Sequence, residues 1–146
     1  MTNFALDTSI ASEVFQQQNG HVLNWLEDTP DEHLYLPMPA AGELYRYVAL
    51  ESMSAAEIAA RRARLDRIFS RFSLLEADLP VFLHWGLMTA NVTGGRSRLA
   101  IDALIAATGM AHDMVVATTN MRDFNNFTRF GVRLYDPSSY QRPDPA

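Results

Sequence analysis

The chain contains neither cysteine nor lysine among its 146 residues. Without cysteine it has no disulfide scaffold, no cysteine nucleophile and no thiolate zinc site. Without lysine it cannot form a Schiff base or use a Walker-type lysine to hold phosphate. All 12 basic residues are therefore arginines. Hydrophobic residues make up 48% of the chain and charged residues 20%, which predicts one folded domain rather than a disordered segment.

Long apolar runs are also lacking, since none approaches the ~18 residues that a membrane helix needs. Residues 1–45 contain seven acidic residues and no basic one, so a secretory signal with a positively charged start is not expected. Residues 46–146 carry 12 arginines against ten acidic residues. We expect a cytoplasmic protein without a membrane segment. Its net charge of −5 disfavours nucleic-acid binding through overall charge alone.

Short apolar runs alternate with helical patterns along the chain. Strands are predicted at residues 3–7, 34–36, 73–75, 114–117 and 132–135. Helices are predicted at residues 10–15, 21–26, 40–53, 54–72, 80–91 and 99–112. This alternation predicts an α/β fold with a parallel sheet that is covered on both faces. We expect residues 1–140 to form the domain and residues 141–146 to be a frayed tail.

Local signals mark several helix starts and one close contact. Thr8 and Ser9 are candidate caps for the first helix. Ser54 and Glu57 have the spacing of a capping box at the start of the fourth predicted helix. In the last helix, Asp102, Ala106 and Gly109 form a face of small residues, which allows a close approach to the sheet.

Four acidic residues fall where a parallel sheet places a site, beyond the carboxyl ends of its strands. Asp7 ends the first predicted strand, and Asp123 follows the fourth. Glu43 and Asp102 lie early in predicted helices, where interaction with the helix dipole is an alternative explanation. Converging carboxylates repel one another unless a cation joins them, and oxygen ligands suit Mg²⁺ or Mn²⁺. The pattern predicts a divalent-metal site of the kind that activates water at a phosphodiester.

Four segments containing these acids carry a resemblance to a known family. They are Leu6–Ser9, Ala41–Arg46, Ala100–Ala107 and Thr118–Phe124. In this order they resemble the four acidic motifs of PIN-domain ribonucleases, and most closely the VapC/FitB-type toxins of bacterial toxin–antitoxin pairs. Residues 23–36 and 131–137 also resemble that family. The resemblance implies a three-layer α/β/α sandwich with a parallel sheet of about five strands in the order 3-2-1-4-5.

The resemblance also implies an activity and a set of site residues. It implies a Mg²⁺- or Mn²⁺-dependent endoribonuclease that uses metal-activated water and acts as the toxin of a type II pair. By motif match, the catalytic and metal-binding residues are Asp7, Glu43, Asp102 and Asp123. Supporting hydrogen bonds to acids, metal-bound water or phosphate are expected from Thr8, Ser9, Thr118 and Asn120. Tyr47 departs from the family pattern, because a glycine frequently stands at that position.

Partners follow from the same resemblance. It implies an RNA substrate, a cognate VapB-like antitoxin that blocks the site, and a homodimer, for which the apolar helices 40–53 and 79–91 are candidate surfaces. Arg46, Arg96 and Arg98 are candidate phosphate or antitoxin contacts. The arginines between residues 61 and 71 predict a solvated helix face rather than an RNA-binding patch.

Two other functions remain open. The first is a catalytically weak PIN-like binding module that acts through its antitoxin in promoter autoregulation, and only the retention of four acids argues against it. The second is a receiver- or phosphatase-like enzyme with Asp7 as phosphoacceptor. Resemblance to those families would require a lysine near the phosphate, and this chain has none.

Overall fold

The computed structural model describes residues 1–50, 54–90 and 97–145. One sheet contains the strands β1 (Phe4–Leu6), β2 (Leu34–Pro37), β3 (Ser73–Leu75), β4 (Val115–Ala117) and β5 (Leu134–Tyr135). Neighbouring strands are parallel, and their order is β3-β2-β1-β4-β5. The predicted α/β fold and the strand order 3-2-1-4-5 are therefore confirmed. Predicted strand ends differ from the observed ones by at most two residues.

Helices connect the strands and cover the sheet. Within the described residues they are α1 (Thr8–Ala11), α2 (Glu13–Gln16), α3 (Gly20–Asp28), α4 (Met38–Leu50), α5 (Ala55–Arg71), α6 (Leu79–Thr89), α7 (Ser97–Ala111) and α8 (Met121–Phe124). Short 3₁₀ helices occupy Asp31–His33, Asn125–Phe130 and Pro137–Ser139. No helix in these described ranges is long and apolar enough to cross a membrane.

The helix starts show where the capping predictions hold and where they fail. Ser54 Oγ accepts a hydrogen bond from the Glu57 N–H at 3.3 Å, which is the Ser54 half of the predicted capping box. Thr8 and Ser9 are wrong as caps, because Asp7 takes the cap position with extended backbone and both residues lie inside α1. Their hydroxyl groups bind acidic side chains instead.

Alternation of side chains along β1 produces the three layers. The Phe4 ring packs on Trp25 of α3, with ring centroids 5.0 Å apart. Ala5 points to the opposite face, which α7 covers. A Cβ atom added to Gly109 of α7 would lie 2.6 Å from Val116 Cγ2 and 3.3 Å from Ala5 Cβ. Helix α7 therefore reaches its position over β1 and β4 because residue 109 has no side chain.

The strand order defines where a site can form. The chain runs from β1 outward to β3 and then returns to the other side of β1 as β4. The carboxyl ends of β1 and β4 thus form the switch point at which open α/β sheets bind ligands. Leu6 pairs with Ala117 across these strands, and the Asp7 N–H donates to the Ala117 carbonyl at 2.9 Å. Asp7 and Thr118 consequently emerge side by side.

Tyr140 and Arg142 contact α3. Residues 141–145 are exposed and have no regular secondary structure. Arg142 forms ion pairs with Glu27 at 2.9 Å and with Asp28 at 3.0 Å. The domain boundary at residue 140 stays a prediction.

Substitution at Gly109 tests the close approach of α7. We expect Gly109→Ala to lower the free energy of unfolding by about 1–3 kcal/mol, because the new methyl group overlaps Val116. The matched control is Gly86→Ala in α6, where an added Cβ meets no atom within 4 Å. This control should raise stability by about 0.5–1 kcal/mol. Urea denaturation measures both, and equal effects of the two substitutions would contradict the packing account.

Candidate functional site

Three carboxylates from distant parts of the chain meet at the switch point. Asp7, Glu43 and Asp102 each place a carboxylate oxygen within 4.8 Å of the other two. Asp7 is buried, with 4% of its surface exposed, and the other two are half-buried. Like charges this close together in a partly desolvated pocket repel one another strongly unless a proton or a cation neutralises them.

Two hydroxyl groups orient the Asp7 carboxylate. Ser9 Oγ and Thr118 Oγ1 both donate to Asp7 Oδ2, each at 2.8 Å. Thr118 is buried at the end of β4 and also accepts the Asn120 N–H at 2.9 Å. Burial raises the pKa of Asp7, and the hydrogen bonds from Thr118 and Ser9 reduce that rise without abolishing it. The site therefore opposes ionisation of Asp7 when no cation is bound.

Glu43 reaches the same pocket from α4. Thr8 Oγ1 donates to Glu43 Oε1 at 2.7 Å and joins this helix to α1. Desolvation raises the pKa of Glu43; the Thr8 hydrogen bond and the charge of Arg46 lower it, while the charge of Asp7 raises it further. Glu43 and Asp7 are thus coupled through their charges.

The helix positions of Glu43 and Asp102 correct one expectation. Both residues were expected near the start of their helices. Since α4 begins at Met38 and α7 at Ser97, each acid is the sixth residue of its helix and lies in the second turn. The dipole effect falls off within the first turn, so a favourable interaction with the helix start does not explain these two acids.

Asp123 stands apart from the three converging acids. Its carboxylate is not part of the group within 4.8 Å that the described residues form. Asp123 Oδ2 accepts a hydrogen bond from Asn120 Nδ2 at 3.0 Å, and Asn120 lines the pocket. Asp123 is therefore linked to the pocket by its hydrogen bond with Asn120.

The pocket has a volume of about 230 Å³ and contains side chains that the sequence motifs did not indicate. Besides the three acids, Thr8, Ser9 and Asn120, its lining includes Ser12, Gln16 and Tyr47. Thr8, Ser12 and Gln16 are spaced by four residues, a spacing typical of one helix face. This spacing is the sequence signal that could have identified Ser12 and Gln16 from Thr8. The lining offers oxygen and amide ligands, which fits a hard divalent cation such as Mg²⁺ or Mn²⁺.

Of the three arginines predicted to contact phosphate or antitoxin, only Arg46 has a side chain within the described part of the structure. Arg46 is exposed, one turn after Glu43, and its charge lowers the pKa of that acid. Arg96 lies outside the described residues, and so does the side chain of Arg98.

Comparison with known proteins identifies sequence relatives over nearly the whole chain. The PIN-domain family model matches residues 4–129. Toxin FitB of Neisseria gonorrhoeae is 31% identical over 137 residues, which cover 90% of this chain and 96% of FitB. Plasmid stability protein StbB of Pseudomonas syringae pv. tomato is 28% identical over 136 residues, with the same coverage of both chains.

A solved structure supports the same relationship. The crystal structure of FitAcB from Neisseria gonorrhoeae contains a chain that superposes with a TM-score of 0.77 at 29% identity. The match covers 93% of this chain and 99% of that one. The resemblance read from the four acidic segments is thereby confirmed at the level of family and fold.

The raised pKa of Asp7 predicts how stability depends on pH. In the metal-free protein the ionised carboxylate is disfavoured in the folded state, so stability falls as pH rises from the ordinary Asp value of 3.8 through the raised one. We expect Asp7→Asn to be more stable than the unchanged protein at neutral pH in EDTA, with the difference shrinking near pH 4. Thermal unfolding across this pH range measures it.

The matched control for that measurement is Asp113→Asn. Asp113 is exposed and has a φ of +55°, a conformation that asparagine tolerates. We expect no comparable gain in neutral-pH stability from this variant. A metal-free Asp7→Asn protein that is less stable than the unchanged protein at neutral pH would contradict the electrostatic account of the site.

Proposed function

Because the chain belongs to the PIN-domain family, we propose that it is a metal-dependent endoribonuclease and the toxin of a type II toxin–antitoxin pair. One observation carries the proposal. Asp7, Glu43 and Asp102 come from three separate elements, and their carboxylate oxygens lie within 4.8 Å of one another at the sheet's switch point. A structural role for the domain does not require such a repulsive cluster, whereas a cation site does.

The residues that would hold the metal are these three acids, with Asn120 and Asp123 in support. A bound Mg²⁺ or Mn²⁺ supplies two things in such sites: it lowers the pKa of a coordinated water, and it neutralises charge on a phosphodiester. The set of oxygen donors suits these ions and disfavours zinc, which in proteins takes mainly cysteine and histidine ligands.

The chain's own groups position the carboxylates and the substrate. Ser9 and Thr118 hold one oxygen of Asp7, and Thr8 holds one oxygen of Glu43. In the proposed reaction, a water oxygen bonds to phosphorus and gives up a proton, the bond from phosphorus to the leaving ribose oxygen breaks, and that oxygen takes up a proton, so that RNA is hydrolysed. Because the attacking oxygen comes from water, no side chain need act as the nucleophile.

A partner follows from the same family membership. Similarity to a protein named toxin FitB supports the proposal that a cognate VapB-like antitoxin inhibits this chain by covering the acidic pocket. An arginine of that partner would meet the same three carboxylates that a metal requires, because both neutralise the cluster. The alternative function is a catalytically weak binding module. Such a module would not need a cation at the three acids.

We further propose that the chain forms a homodimer through α6. Four large apolar side chains on this helix are between 47% and 70% exposed. They are Leu79, Phe82, Leu83 and Leu87, whose spacing places them on neighbouring rows of the helix surface. Exposed apolar patches of this kind mark interaction surfaces, and a second copy of the chain would bury this one.

Loss of RNA cleavage in acid-to-amide variants tests the nuclease proposal. We expect Asp7→Asn and Asp102→Asn each to lower Mn²⁺-dependent cleavage of structured RNA by about a hundredfold or more, because each removes a charge that holds the cation. Asp123→Asn should lose only about tenfold, because it acts through Asn120. Gel assays of cleavage rate measure these effects, with circular dichroism to verify folding.

Asp113→Asn is the control for those assays and should cleave RNA at the unchanged rate. Undiminished cleavage in folded Asp7→Asn or Asp102→Asn protein would reject the proposal. So would an unchanged protein that neither cleaves RNA nor responds to Mn²⁺, and that result would favour the binding module.

Substitutions on α6 test the dimer. We expect Leu83→Gln combined with Leu87→Gln to convert the dimer to a monomer in sedimentation-velocity experiments, since the change puts polar amides into the buried patch. Leu74→Gln on β3 is the matched control, because Leu74 is also exposed but lies outside α6. A monomeric unchanged protein at micromolar concentration would contradict this proposal.

A further inference from the structure

Helix α7 carries Asp102, and two contacts fix where this helix lies. Near its carboxyl end, Gly109 sits against β1 and β4, where an added Cβ would lie 2.6 Å from Val116 Cγ2. Near its amino end, the indole Nε1–H of Trp85 on α6 donates to the Ala100 carbonyl at 3.1 Å. Asp102 lies between these two contacts, two residues after Ala100 and seven before Gly109.

We propose that Trp85 is a positioning residue for Asp102. Its indole N–H fixes the first turns of α7 on α6 and thereby holds the Asp102 carboxylate beside the other two acids. This inference rests on the proposed metal site and adds to it a residue from a helix that does not itself reach the site. Among the described residues that line the acidic pocket, none belongs to α6, so Trp85 acts through α7.

The Trp85 side chain is itself held in place on α6. It is partly buried and packs against the core. The ring of Phe82 meets it edge to face, with ring centroids 6.4 Å apart, and Thr89 Oγ1 donates to the Trp85 carbonyl at 2.8 Å. Apolar packing between α6 and α7 has no fixed direction, whereas the single N–H donor of an indole does. The bond to Ala100 therefore specifies how α7 is placed.

The distances along α7 show why this bond matters for Asp102. At 1.5 Å per residue, residue 102 lies about 10 Å along the axis from the Gly109 contact but only about 3 Å from Ala100. A tilt of about 5° around the Gly109 contact would therefore move residue 102 by about 1 Å. Misplacement of a site group by ~1 Å can cost about a hundredfold in rate. The Trp85 bond opposes this tilt close to the acid concerned.

The other two acids are held by different contacts. Asp7 follows β1 and accepts hydroxyl hydrogen bonds from Ser9 and Thr118, and Glu43 on α4 accepts one from α1. Loss of the Trp85 bond would therefore move Asp102 relative to two carboxylates that stay in place. We expect a defect in cation binding rather than a general loss of structure.

Calorimetric titration of the metal-free full chain with Mn²⁺ tests the role of the indole N–H. Trp85→Phe keeps an aromatic ring and removes the donor, and we expect it to weaken Mn²⁺ binding about tenfold. The matched control is Trp25→Phe. The Trp25 ring packs between Phe4 and Tyr135, on the face of the sheet opposite α7, so this variant should bind Mn²⁺ with unchanged affinity. Circular dichroism verifies folding of both variants.

Fluorescence provides a second test that requires no substitution at Trp85. The chain has two tryptophans, so Trp85 is the only one in Trp25→Phe protein. We expect Mg²⁺ to change its emission saturably, over the concentration range in which calorimetry detects Mg²⁺ binding, because the bound cation acts on the helix start that Trp85 contacts. The change should be absent when Asp102→Asn is added. Saturable Mg²⁺ binding with constant emission would overturn the inference.

The outcomes separate this inference from the nuclease proposal. Unchanged Mn²⁺ affinity in folded Trp85→Phe protein would overturn the role of Trp85 and leave the metal site standing, whereas no Mn²⁺ binding by the unchanged protein would reject both. Equal losses in the Trp85→Phe and Trp25→Phe variants would overturn the inference, because they would indicate a general loosening of the fold.

Sedimentation velocity separates positioning from an effect on the proposed dimer, since α6 also carries that surface. Reduced Mn²⁺ affinity in Trp85→Phe protein that is still dimeric would support the inference. If Trp85→Phe is monomeric, the variant with Leu83→Gln and Leu87→Gln decides. Full Mn²⁺ affinity in this variant would support the role of Trp85, and an equal loss would overturn it and assign the effect to the dimer.

Discussion

Repulsion among three carboxylates is the constraint on which this structure depends. Asp7, Glu43 and Asp102 lie within 4.8 Å of one another, and the most buried of them has a pKa raised by its burial. The fold holds them together at a cost in stability, since hydroxyl donors from Thr8, Ser9 and Thr118 only partly offset desolvation. Such an arrangement persists in a marginally stable domain when a cation or a positively charged partner compensates for it.

Several features of the fold serve this convergence. Residue Asp7 enters the site because β1 ends one residue earlier, beside β4 at the switch point. Asp102 enters because α7 lies close against β1 and β4, which Gly109 permits. Glu43 enters from α4 and is joined to α1 by Thr8. A change in any of these contacts would move a carboxylate relative to its neighbours. The same scaffold leaves α5 alongside the pocket, where its arginines line two further cavities.

Much of this architecture is readable from the sequence. Short apolar runs that alternate with helical patterns predict the parallel sheet, and the four acidic segments in order predict the strand order through their resemblance to a family. The small face of α7 is visible in Asp102, Ala106 and Gly109. The sequence left two interpretations of Thr8 and Ser9, as helix caps and as donors to the acids. In the structure their hydroxyl groups donate to Glu43 and Asp7.

Other details depend on geometry that no local pattern encodes. Helix α4 begins at Met38, two residues before the predicted residue 40, because Pro39 occupies the first helical turn, a position that proline tolerates. Asp123 lies in α8 and contacts Asn120, and no local pattern shows that this places it outside the group of three acids. The cavities beside α5 cannot be predicted from local patterns, because they depend on which helices are neighbours in the fold. In the sequence, the arginines of α5 are typical of a solvated helix face. The structure shows that Gln16 and Tyr47 line both the acidic pocket and the cavity that these arginines border.

Calorimetric titration of the metal-free protein with Mn²⁺ tests the central claim most directly. We expect saturable binding that is lost in Asp102→Asn. The binding should tighten as pH rises, because the cation competes with protons for the acids. Binding of equal strength in Asp102→Asn, or no binding by the unchanged protein at neutral pH, would contradict the claim.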